Sequence, residues 1–142
     1  MANIEHLLTV NAPVEKVYEA LTTQEGLGTV WTSELSVSQT IGEILEFQFG
    51  SDDLTKMRLV ELVPNKRIAW ECVDSDPEWV GTSIVFDLSE KNGRTSITLG
   101  QLNWREVTPF YRSCNYNWAI FLYSLQLYVE EGKGMNYQSR FS

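Results

Sequence analysis

The chain has 142 residues, 43% of them hydrophobic and 21% charged, which fits one globular domain with a sizeable core and excludes disordered and fibrous classes. A formal net charge of −8 argues against electrostatic capture of nucleic acid or of an anionic membrane, since both need clustered Lys and Arg. Cys72 and Cys114 lack CxxC spacing, and the N-terminus has neither the basic start nor the apolar run of a secretory signal, so a reduced, cytoplasmic setting is expected.

In chain order, Ile4 to Val10 reads as a strand that ends at Asn11. Pro13 then opens a helix with Val14, Val17, Tyr18 and Leu21 at helical spacing, and Asn11 or Ala12 is expected at its cap. Gln24 to Trp31, interrupted by Gly26 and Gly28, reads as a broken second helix that drops Trp31 towards the interior. From Glu34 the apolar period becomes two. Glu34–Gln39 is a predicted strand, followed by Glu43–Phe49 with Leu45, Phe47 and Phe49 on one face. Thr55–Val63 and Arg67–Val73 follow as strands, joined at Pro64-Asn65; Ile68, Trp70 and Cys72 share a face of the second. Asp74–Glu78 is an acidic loop whose spacing lacks the glycine and terminal Glu of a calcium loop. Thr82–Ser89 sends Ile84, Phe86 and Leu88 inward, Asn92-Gly93 turns the hairpin, and Thr95–Asn103 returns with Ile97, Leu99 and Gln101 on one face. Thr108-Pro109 caps a long last helix that ends at Gly132.

That helix carries no charge from Ser113 to Val129. Tyr111, Asn115, Trp118, Leu122, Leu125 and Val129 form one stripe, and Tyr116, Ile120, Tyr123 and Leu127 form another roughly opposite. The stretch is short of the roughly 20 residues a membrane span needs, and Asn115, Asn117, Ser124 and Gln126 interrupt it. The first stripe grips a sheet. The second predicts an interface, either with a second copy of the chain or with the N-terminal helix and the segment around Trp31. The order of elements therefore predicts an α+β fold in which a curved antiparallel sheet wraps a long C-terminal helix.

The segment Ala12–Thr22, Trp31, the strand-turn-strand Leu59–Trp70 around Pro64, the Thr95–Leu99 strand, and Asn117-Trp118 leading to Glu131-Gly132 together resemble the START-like, SRPBCC superfamily. Within it they resemble the branch of the C-terminal domain of the activator of Hsp90 ATPase. The resemblance spans nearly the whole chain and implies a single helix-grip domain over residues 1–142, with a hydrophobic cavity between sheet and long helix. Two positions depart from the pattern: Asn117 stands where members often have Gly, and Gln101 where they often have a last-strand His. Both make the expected pocket more polar. The length leaves no room for the additional N-terminal domain of the chaperone activator, so activation of Hsp90 does not follow from the resemblance alone.

On this reading Trp31, Phe47, Phe49, Leu59, Trp70, Cys72, Phe86, Leu99, Gln101, Asn115, Trp118 and Leu122 line a site for a small apolar or aromatic molecule, with no cofactor and no metal. No catalytic residues are assigned. His6, the single histidine, has no Ser/Asp or Cys partners at useful spacing, and Glu61 and Glu71 are expected to pair with Arg58 and Arg67 on the solvated face. A small-molecule binding protein is thus the first expectation. A polyketide cyclase or dehydratase-like enzyme using the same cavity is the second, and a co-chaperone-like interaction protein the third.

Overall fold

The computed structural model describes residues 1–140. Strand β1 (Ala2–Val10) leads into helices α1 (Val14–Thr22) and α2 (Gln24–Val30). Strands β2 (Leu35–Ser36), β3 (Ile44–Gln48), β4 (Leu54–Val63), β5 (Arg67–Asp74), β6 (Ser83–Lys91) and β7 (Arg94–Trp104) follow, then the long helix α3 (Pro109–Glu131) and a final turn α4 (Tyr137–Arg140). The strands pair antiparallel in one sheet of order β1-β7-β6-β5-β4-β3-β2. This is the predicted α+β helix grip. Because β1 pairs with β7, the first and last strands close one side of the sheet directly beside α3.

Local chemistry explains the boundaries. Helix α3 starts where the Thr108 hydroxyl accepts the Tyr111 N–H and stops where Gly132 takes a φ of 77°, a conformation that costs residues with a Cβ. Asn92 and Gly93 both have positive φ, which matches the right-handed twist of the β6–β7 hairpin. Pro13 itself occupies the cap of α1 and offers no side-chain bond; the Glu90 carboxylate on β6 accepts the Val14 N–H at 3.0 Å instead. The predicted strand Glu34–Gln39 shrinks to Leu35–Ser36, because the Gln24 side chain takes the backbone of Leu35 (2.8 Å) and Val37 (3.2 Å) and so occupies the edge.

Helix α2 is short but continuous. Gly26 lets it cross α1, since a Cβ there would lie 2.3 Å from the Ala20 carbonyl oxygen. The close approach fixes the end of α2 so that Trp31 turns inward. After α3 the chain folds back: Ser124 Oγ donates to Val30 O and accepts from Met135 N, and Tyr137 N donates to Trp31 O. The segment 133–140 therefore straps the outside of α2. Among the described residues no helix is long and apolar enough to cross a membrane.

Candidate functional site

The space between sheet and α3 is framed by Phe47, Leu59, Trp70, Cys72, Phe86 and Leu99 from the strands and by Trp118 and Leu122 from the helix, all buried. Alternation on the strands puts them there, as the sequence expects. Phe49 is half-buried beyond the end of β3, its ring 5.1 Å from Trp31 and 5.6 Å from Tyr137. Asn115 does not belong to this set: it is exposed, because the helix turns its inward face on Cys114, Trp118, Phe121 and Leu125. Phe121, three residues after Trp118, lies between the two helical stripes and is buried with the inward one.

The chain itself fills the middle of this space. The Trp31 ring lies 4.6 Å from Phe47, 5.5 Å from Trp118, 5.5 Å from Phe121 and 6.1 Å from Trp70. Trp79 stacks on the far side of Trp118 at 5.8 Å, so four indoles cross the interior in a row from β5 to the loop after it. Tilted, stacked and edge-on geometries all occur, as the ring quadrupoles favour. Next to this aromatic row, between the α1–α2 segment and the sheet, a cavity of about 10 Å³ beside Leu27, Leu45, Leu59 and Trp70 has room for about one water molecule.

Gln101 is fully buried on β7, and both ends of its amide are engaged. The Trp118 Nε1–H donates to its Oε1 at 2.7 Å, and its Nε2 donates to Thr82 Oγ1 at 3.0 Å. Indole N–H is only a donor, so this bond fixes which way the amide faces. Thr82 Oγ1 in turn donates to Trp79 O, and Trp79 Nε1 donates to Cys114 Sγ at 3.2 Å. The network ties β7, the loop before β6 and α3 together.

Burial pushes the Cys72 and Cys114 thiols up to about 11, so both are protonated and weakly nucleophilic near neutral pH. His6 sits half-buried on β1, where Nε2 has no hydrogen-bond partner among the described residues. No cluster of three or more His, Cys, Asp or Glu among those residues is placed to hold a metal ion. On the outer face Arg67 pairs with Glu61 at 2.8 Å and Asp87 at 2.7 Å, and Arg58 with Glu71 at 3.4 Å, as expected for a solvated face. These exposed pairs add little stability.

A second hollow opens at the end of the sheet. It is a cleft of about 210 Å³ lined by Glu78, Trp104, Arg105, Glu106 and Thr108. Glu78 is more than a solvated turn acid there: its Oε1 accepts Trp104 Nε1 at 3.1 Å and Thr108 Oγ1 at 2.6 Å, joining the acidic loop to the start of α3. Of the second helix stripe, Tyr116 is 68% and Tyr123 52% exposed, while Ile120 and Leu127 are half-buried. Helices α1 and α2 do not cover the two tyrosines.

A seven-stranded antiparallel sheet gripping a long C-terminal helix, with two short helices after the first strand, defines the START or SRPBCC class of domain. The family model described as "Activator of Hsp90 ATPase homolog 1-like protein" matches residues 11–130, and the chain belongs to this AHSA1 family. It is similar to the solution structure of the Aha1 dimer from Colwellia psychrerythraea, with 37% identity and a TM-score of 0.87 over 94% of this chain and 100% of that one. A Staphylococcus saprophyticus protein shares the fold at 21% identity and a TM-score of 0.78, over 94% of this chain and 95% of its own. CalU16 from Micromonospora echinospora does so at 18% identity and 0.75, over 90% and 74%. No curated protein matches the chain.

Proposed function

We propose that this single AHSA1-type domain works through its surface, as a dimeric protein-interaction module whose partner is a chaperone of the Hsp90 class. The observation that carries the reading is Trp31. Its ring stands where a helix-grip domain would otherwise hold a ligand, packed against Phe47, Trp70, Trp118 and Phe121 at once. The polar groups inside do not await a substrate: Gln101 is bonded at both ends and the thiols are held protonated. The family description supplies the chaperone, and the Aha1 dimer from Colwellia, 37% identical, supports self-association.

A second reading, a carrier of a small apolar or aromatic molecule, is favoured by one feature: Trp31 sits at the junction of α2 and the strap, where withdrawal of one ring would open the whole aromatic interior. Two measurements separate the readings. Calorimetric titration against the Hsp90 of the source organism is expected to give a complex, with a change in steady-state ATP turnover. Native mass spectrometry of the freshly purified chain is expected to give the bare mass. A co-purified small molecule, together with no chaperone binding, overturns the proposal in favour of the carrier.

A further inference from the structure

Along the exposed side of α3, Arg112, Tyr116, Ala119, Tyr123, Gln126 and Glu130 recur at i, i+4, i+7, i+11, i+14 and i+18. This alternation of four and three is the 3.5-residue period of a two-helix seam. Every one of the six is exposed except Gln126, which is half-buried. The ends of the seam carry opposite charge and its middle none. Arg112 makes no ion pair among the described residues. Glu130 is held in place at the other end by Asn11 N and Gln126 Nε2, both bonding Oε2.

We infer that this face of α3 is the dimer contact, two copies pairing antiparallel about a two-fold axis at the level of residue 121; the inference rests on the dimer proposed above. The register follows from the charges. Opposing Arg112 to Glu130 of the other copy makes two equivalent ion pairs about 27 Å apart along the axis. The same register sets Tyr116 against Gln126 and Ala119 against Tyr123. A methyl group facing a phenol ring twice lets the helix axes approach closely, with the two tyrosines covering each other's flank. A parallel pairing would put Arg112 against Arg112 and align the helix dipoles unfavourably.

The test uses the full chain and two readouts. Light scattering after size exclusion is expected to give twice the chain mass, and Arg112→Glu, an exposed change, is expected to weaken the dimer about tenfold while leaving circular dichroism unchanged. In the second readout Ala119→Cys chains are mixed with Tyr123→Cys chains and oxidised. They are expected to cross-link efficiently, whereas Ala119→Cys mixed with Tyr116→Cys is not, since Cys72 and Cys114 are buried and the latter pair lies out of register. A monomer mass overturns the dimer and this contact together. A dimer mass that Arg112→Glu leaves unchanged, with no preference for the 119–123 cross-link, overturns the contact alone.

Discussion

The Trp118 indole N–H and the Gln101 carbonyl oxygen meet at 2.7 Å in the middle of the protein, joining α3 to β7 through a bond that water does not reach. Both side chains read from the sequence as cavity lining. Their mutual bond changes what each does: the amide holds the indole at a fixed angle between Trp31 and Trp79. The position that departs from the family pattern is therefore a brace.

Gln101→Leu is expected to lower stability by about 1–3 kcal/mol, because it strands the Trp118 N–H without water and takes a donor from Thr82. Urea unfolding followed by tryptophan fluorescence measures this. A variant as stable as the parent would mean that the Trp118 indole and the Thr82 hydroxyl find other partners.

Much of this architecture is legible in the residue pattern, and the reasons are physical. Period-two alternation places Phe47, Trp70, Phe86 and Leu99 on the inner face without any tertiary knowledge, and Thr108 and Gly132 mark the ends of α3 by their backbone chemistry. Periodicity assigns a side, not a depth. It cannot show that Trp31 reaches between β5 and α3, because that depends on the angle at which α2 leaves α1, set by the contact of Gly26 with Ala20. Bonds between distant residues, such as Glu78 to Trp104 or Ser124 to Met135, are equally invisible in spacing. Asn115 differs from its expected inward place for a simpler reason: at about 100° per residue it lies at the margin of the inward face, where Cys114 is deeper.

Alkaline pH is expected to weaken the fold through the two thiols. An unfolded cysteine ionises near 9.0, whereas burial holds Cys72 and Cys114 protonated up to about 11. Between those values the unfolded chain has lost protons that the folded chain retains, so stability falls as pH rises and levels off above about 11. The phenols of Tyr18 and Tyr128, raised by burial, act in the same direction above pH 10.0. Thermal unfolding between neutral pH and pH 11 measures the slope, and replacing both cysteines with alanine is expected to flatten it.

Trp31→Ala distinguishes a solid aromatic core from a latent pocket. Removing the indole takes away contacts with Phe47, Phe49, Trp70, Trp118 and Phe121 at once, which is expected to cost about 3–5 kcal/mol if the neighbours hold their places. They have reason to hold: Trp118 is braced by Gln101, Phe86 backs both Trp70 and Phe121, and the strands behind them are paired on both sides. The result is then a dry apolar void on the order of 150 Å³, the size that admits a single aromatic ring. Added indole is accordingly expected to bind the variant, raise its melting temperature and shift the emission of the remaining tryptophans, with no effect on the parent protein. A loss well below 3 kcal/mol, with no uptake of indole, would show that the core collapses onto the gap. Indole binding to the unmodified chain would show instead that the ring already swings aside, and that the interior is a working pocket.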